Sequence, residues 1–268
     1  MMTDAQPPLP LFYQAPELLS SAVHGSWRLA DGDAGFAAET PFLPILASEI
    51  GFAAASYPVL FAKGDLQPIA VTGIEQFNLF VEQGRWAEDA YVPAYVRRYP
   101  FGFIATVNPD GFALAIDAGS DRILRDGEEG RALFDQGEPS ELTRQALAFC
   151  DAFQTDATTT RAFTDALREQ DLLIDQRADV TLPDGVHRGI EGFQIVDADR
   201  FARLADAVVL DWHRKGWLAL VHFHLMSLQR FPALLVRRAK RATVAVESQS
   251  DASGTTANDR NSPEFEKA

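Results

Sequence analysis

The first half of this chain reads as short strands and turns and the second half changes to helical spacing, a change that restricts the fold more than any other feature. The clearest period-two segment runs from Gly102 to Asp117. Phe103, Ile104 and Val107 lead into Asn108-Pro109-Asp110-Gly111, and Phe112, Leu114 and Ile116 leave it. Proline presets φ for a turn and glycine accepts the positive φ that closes it, so the segment predicts a hairpin. Shorter extended pieces are expected at Trp27–Leu29, Gly35–Ala38, Pro58–Phe61, Pro68–Gly73 and Asn78–Glu82. Ser48–Ser56 reads as a short helix closed by Tyr57-Pro58, because the residue before proline disfavours the α region.

Helical spacing begins at Pro139. Leu142, Ala146, Phe149 and Phe153 share one face of a first helix, with Ser140 or Glu138 near its start. Thr158, Thr159 or Thr160 is expected to cap a second, with Phe163, Leu167 and Leu172 inward. Arg177–Ile195 reads as irregular around the turn Pro183-Asp184-Gly185, with a strand at Phe193–Val196. Asp197 or Asp199 caps a third helix carrying Phe201, Leu204, Val208 and Trp212, and Gly216 ends it. Trp217–Ser227 reads as a strand returning to the sheet, with Ser227 as the cap of a last helix, Leu228–Arg241. These elements predict an α+β fold: one domain over residues 1–242, a mostly antiparallel N-terminal sheet, C-terminal helices and one late strand.

From Glu247 to Ala268 the chain is Ser, Asp, Asn, Thr, Gly and Glu with a single aromatic, Phe265, so residues 243–268 are expected to form a disordered polar tail. Before it lie Arg230, Arg237, Arg238, Lys240 and Arg241, either a solvated helix end or a dock for an acidic partner. The formal net charge of −14 argues against nucleic acid as a partner, because phosphate repels it. Cys150, the only cysteine, leaves no internal disulfide and no Cys-based zinc site. No basic, apolar leader opens the sequence, and uninterrupted apolar runs such as Trp217–Val221 are about a quarter of the ~20 residues that cross a bilayer. The expectation is a cytoplasmic protein without a transmembrane segment.

The residues from Trp86 to Phe101 form the leading candidate site. Tyr91, Tyr95 and Tyr99 are spaced by four, Pro93 suits the first turn of a short helix, and Arg97 and Arg98 lie between. An aromatic wall beside a guanidinium suits a carboxylate, a phosphate or a peptide chain. The plainer alternative is an amphipathic turn with tyrosines in the core and arginines paired to Glu88 or Asp89. A second candidate is His222 and His224, which a strand would point to one side, with His213 nearby: three imidazoles suited to a divalent metal and metal-dependent catalysis, or simply buried histidines. No nucleophile elbow, phosphate loop, dinucleotide fingerprint or calcium loop occurs, and catalytic residues stay unassigned.

Tyr57-Pro58-Val59-Leu60-Phe61, Asn78-Leu79-Phe80-Val81, Trp86 and Tyr91-Val92-Pro93-Ala94-Tyr95-Val96-Arg97-Arg98-Tyr99-Pro100-Phe101 resemble the SapC family of bacterial proteins. His24, Gly130-Arg131-Ala132-Leu133-Phe134-Asp135, Gly216, His222, Leu225 and Ser227-Leu228 extend the likeness to roughly residues 10–238. The resemblance implies an association with surface-layer proteins, and genes neighbouring those of outer-membrane receptors and flavin halogenases. It brings no catalytic residues. A surface location would need a signal-independent route, with the polar tail as its address. Together these readings predict an accessory protein that binds a protein or peptide partner through Trp86, Tyr91, Tyr95, Arg97, Arg98 and Tyr99, without a resident cofactor. The alternatives are a metal enzyme on the C-terminal histidines and a self-assembling lattice component.

Overall fold

The computed structural model describes residues 9–107, 110–181 and 187–241. The expected turns at Asn108-Pro109 and Pro183–Gly185 and the polar tail lie outside these residues. The fold is α+β, and every strand pairing is antiparallel.

The main sheet has five strands in the order Leu173–Thr181, His187–Val196, Val59–Ala62, Pro68–Val71, Phe42–Pro44. The strand expected at Phe193–Val196 forms, as the end of His187–Val196, and the hairpin partner Leu173–Thr181 extends the late contribution into a stretch that reads largely as irregular. Its alternation is masked by charges at Asp175, Arg177 and Glu191 and by a register shift between Gln176 and Ala178. The predicted hairpin at 102–117 forms as Phe101–Val107 against Asp110–Asp117, and Pro16–Leu18 adds a third strand.

Four further expectations need correction. Gly35–Ala37 is a 3-10 turn. Of Asn78–Glu82 only Val81–Glu82 is a strand, paired with Arg85–Trp86. The two helices expected between Pro139 and Leu172 are one, Glu141–Glu169, capped by Ser140, whose hydroxyl accepts from the Thr143 N–H. Thr158, Thr159 and Thr160 turn their hydroxyls back onto the carbonyls of Gln154, Thr155 and Asp156 instead of opening a new N-terminus.

The fourth correction is the apolar run after Gly216. Trp217–Ser227 is a helix, which continues through a 3-10 turn, Leu228–Arg230, to Arg241. A short apolar run does not by itself separate a strand from a buried helix, and this one has three Leu, one Ala and one Met against a single β-branched residue, Val221. Ser227 is thus inside a helix, not at its cap. By length and composition this 25-residue rod is apolar enough to cross a membrane, a test that core helices also pass. The apolar runs, read as broken by the histidines, hid that length. Val221, His224, Ser227 and Leu234 face the core, yet only 22% of the most apolar stretch is buried. Two expected features hold before it. Asp197 accepts from the N–H groups of Asp199 and Arg200 as the expected cap, and Gly216 (φ 74°) is the expected stop in the left-handed region, but the single helix expected between them is two, Ala198–Phe201 and Asp206–Lys215, so Phe201 and Trp212 lie on different helices.

The long helix serves two cores. Its second half puts Phe163, Ala166 and Leu167 against the main sheet, with Trp212, Val221 and Leu234. Its first half puts Leu142, Ala146 and Cys150 against a smaller core of Trp27, Leu29, Phe101, Ile116 and Leu133. Burial drives both contacts, at roughly 25 cal/mol per Å² of apolar surface removed from water.

Candidate functional site

Where the long helix passes from one core to the other, a cleft of about 290 Å³ opens. Phe149, Ala152, Phe153 and Asp156 form one wall, Leu46, Ser48, Glu49 and Phe52 the second, and Tyr91, Ala94 and Arg97 the third. Thr160 pins two walls together: its hydroxyl accepts from the Ala47 N–H at 2.8 Å and donates to the Asp156 carbonyl. Ser48 donates its hydroxyl to the Asp156 carboxylate at the rim.

Glu49 organises the third wall. It is 4% exposed, the single charge in an apolar run from Ile45 to Ile50 apart from the polar Ser48. One carboxylate oxygen accepts from the Ala94 N–H (2.6 Å) and the Tyr91 hydroxyl (2.9 Å), the other from the Leu46 N–H (2.8 Å). A buried carboxylate is tolerated when its lone pairs are engaged, and these three donors engage them. The Tyr91 phenol, pushed up to about 12 by burial and by the Glu49 charge, stays protonated. Its oxygen also accepts from Arg97 Nη2 at 3.1 Å.

Arg97 is exposed. Nε donates to the Val92 carbonyl at 3.1 Å, and the guanidinium lies 5.3 Å from the Phe149 ring centre and 5.8 Å from that of Tyr91. Among the described residues no carboxylate stands within 4 Å of it. Arg97 lines the cleft and is exposed, and a guanidinium offers the fork geometry that takes a carboxylate in two hydrogen bonds. Phe52, 66% exposed, stacks on Tyr91 with ring centres 5.7 Å apart. Phe223 (40% exposed) lies against Gly51, the chain neighbour of Phe52, and Met226 (68% exposed) follows three residues later on the same helix.

The other expected site residues divide from these. Arg98 does not share the cleft. Its guanidinium sits 4.2 Å from the Tyr95 ring and 4.3 Å from Phe153, with Nε buried and without a hydrogen-bond partner. Two aromatic faces hold it at roughly 0.5–2 kcal/mol each, a structural use. Tyr95 and Tyr99 are buried, donating to the Leu11 carbonyl and the Asp117 carboxylate. Trp86 stands behind the wall, donating to the Tyr57 hydroxyl, which itself donates to the Tyr91 carbonyl. The spacing of four fails to align the tyrosines because the helix is only Ala94–Arg97, so Tyr91 precedes it and Tyr99 follows it. Neither arginine pairs with Glu88 or Asp89: Arg237 binds both oxygens of Asp89, at 3.0 and 2.9 Å.

The basic helix end is likewise engaged rather than solvated. Arg238 pairs with Glu75, and Arg241 donates to the Asn78 carbonyl. The Arg237 guanidinium lies 4.2 Å from the Phe80 ring, and those of Arg238 and Arg241 lie over Phe77.

The proposed histidine metal set does not assemble. On a helix, residues two apart point about 200° from each other. His222 is exposed against the Phe201 ring, His213 is exposed on the preceding helix, and His224 is buried. Among the described residues no three His, Cys, Asp or Glu side chains group as metal ligands. His224 has a different task. The register Phe193–Ala62, Gln194–Phe61 continues to Val196 opposite Val59, and there the imidazole stands between the strands. Nδ1–H donates to the Val59 carbonyl at 2.8 Å and Nε2 accepts from the Val196 N–H at 3.1 Å. Ser227 completes the join, accepting from the Val59 N–H and donating to the His224 carbonyl.

Sequence reasoning missed Glu49, Phe52, Ser48 and Asp156. A lone carboxylate within the apolar run 45–50 was the available signal for Glu49. Phe149 and Phe153 were read as core, and they line the cleft because the helix bridges two cores there. In comparison with known proteins, the family model described as SapC matches residues 19–234, which include every residue of the cleft. No curated protein and no solved structure matches the chain.

Proposed function

The chain belongs to the SapC family, and from that premise we propose that it is a non-catalytic binding protein whose cleft at Glu49, Phe52, Tyr91 and Arg97 takes a peptide segment of a protein partner. The observation that carries this reading is an exposed guanidinium with no carboxylate within 4 Å among the described residues, on the wall of a cleft whose lip, Phe52, is itself exposed, with the exposed Phe223 against the neighbouring Gly51. Arginine and aromatic residues around a partly enclosed pocket supply most of the binding energy at protein interfaces, and contiguous exposed apolar surface marks interaction sites. The groups lining the cleft support binding over chemistry. Glu49 is engaged by three donors, Tyr91 is a protonated phenol, and the Ser48 hydroxyl is bonded to the Asp156 carboxylate at the rim, with no histidine among the described residues that line the cleft. The surface-layer connection of the family is part of the proposal, as the setting in which such an accessory protein acts.

Peptides selected from a random display library on the immobilised chain provide the test. Their affinity, measured by calorimetry, should fall at least tenfold with Arg97→Ala and with Phe52→Ala, about 1.4 kcal/mol each. Equal affinity for wild type and both variants would refute the assignment.

A further inference from the structure

We propose that the cleft is filled by this chain's own segment Pro263-Glu264-Phe265-Glu266-Lys267, which competes with the outside partner. The inference rests on the reading of the cleft as a peptide site and adds its regulation. The walls ask for a particular residue pattern. A volume of about 290 Å³ over Phe149 and Phe153 is at the small end for ligand sites, and suits one aromatic side chain with its flanking backbone. Arg97 on one wall asks for a carboxylate beside that ring. Asp156 on another, half satisfied by the Ser48 hydroxyl, asks for a cation. Between residues 242 and 268 the sequence has one aromatic residue, Phe265, and it is bracketed by Glu264 and Glu266 and followed by Lys267. The segment thus brings together a ring, flanking carboxylates and an ammonium, the groups complementary to Phe149 and Phe153, to Arg97 and to Asp156.

The starting point of the segment is also favourable. The C-terminal helix reaches Arg241, and one turn earlier Arg237 grips Asp89, two residues before Tyr91 of the cleft wall. One helical turn is about 5.4 Å and two residues of chain span at most ~7 Å. Arg241, the last described residue, therefore lies on the order of 20 Å from the cleft. The residues from 242 to 265 cover up to ~80 Å when extended, several times that gap. Tethering at this range presents a segment at an effective concentration on the order of 1 mM, enough for a weak motif to hold the site against a dilute competitor.

The experiment compares the full wild-type chain with full-length Phe265→Ser, a change outside both cores. The probe is a fluorescent synthetic peptide of residues 261–268. The Phe265→Ser chain should bind it at least tenfold more tightly than wild type does, and adding Arg97→Ala should abolish that gain. Amide hydrogen exchange at 46–52 and 149–156 should be faster in Phe265→Ser than in wild type. Equal probe affinity and equal exchange in the two chains would overturn the proposal. So would a doubled mass by light scattering that reverts with Phe265→Ser, since the segment would then dock on a second copy. If library-selected peptides bind through Arg97 and Phe52 while the 261–268 probe does not, this inference falls and the binding function stands. If neither binds, both fall.

Discussion

His224 shows what one side chain contributes here. Its imidazole takes the place of a ladder bond between Val59 and Val196, and burial pulls its pKa down to about 4. The partners fix the neutral tautomer: Val59 offers only a carbonyl to Nδ1–H, and Val196 only an N–H to Nε2. Because the folded value lies below the unfolded ~6.5, the unfolded chain takes up a proton first as pH falls. The contribution of this histidine is whole above pH 6.5 and is lost on acidification toward pH 4, by about 3 kcal/mol in all. Urea unfolding at pH 7 and pH 5 should show the drop. His224→Ala should cost about 3–5 kcal/mol at pH 7, through two stranded backbone groups and a cavity, and should flatten the acid limb. An unchanged acid limb in that variant would refute the assignment. The plainer sequence reading, buried histidines bonded to backbone or carboxylates, holds for His224, but which backbone it meets was not legible. A His-x-His pair on an apolar run looks the same whether it faces a metal or plugs a sheet, and the plugged residues are 165 and 28 positions away.

Among the elements, the long helix Glu141–Glu169 shapes the cleft, and its middle decides where the cleft opens. The threonines at 158–160 have the sequence character of a cap, yet helix propensity on both sides and burial of Thr160 and Phe163 keep the helix running. Capping chemistry was readable where no stronger packing opposed it, at Ser140, Asp197 and Gly216. The Phe101–Asp117 hairpin was readable because its alternation is uninterrupted. The hairpin after Leu172 was hidden because its charged residues break the pattern that burial would impose. Thr160 also makes a prediction. Thr160→Val keeps the shape but leaves the Ala47 N–H without an acceptor in a buried place, at a cost of about 1–3 kcal/mol. Calorimetric melting should detect it, and peptide affinity should fall with it as the wall formed by Ala47–Glu49 loosens. A neutral substitution would mean that Ala47 is held by some other contact.

At the level of the whole molecule, the cleft lies on the seam between two cores, a place that no local sequence window can locate. The pieces around it, Tyr91 and Arg97, were legible as an unusual aromatic and cationic cluster. Their partners Glu49, Phe52 and Asp156 come from elements that meet them only in the tertiary fold. The C-terminal helix ties these pieces to the far end of the chain through Arg237, Arg238 and Arg241, which hold Asp89, Glu75 and the Asn78 carbonyl. Replacing the three arginines with alanine should raise amide exchange across 75–91 and leave the 101–117 hairpin unchanged. Uniform exchange across the molecule would instead show that the helix end has no separate grip on that segment. With the grip in place, the last turn before Arg241 behaves as the short arm of a lever. A displacement of the helix end is thereby passed, through the two hydrogen bonds to Asp89, to the stretch of chain that carries Tyr91 into the cleft wall.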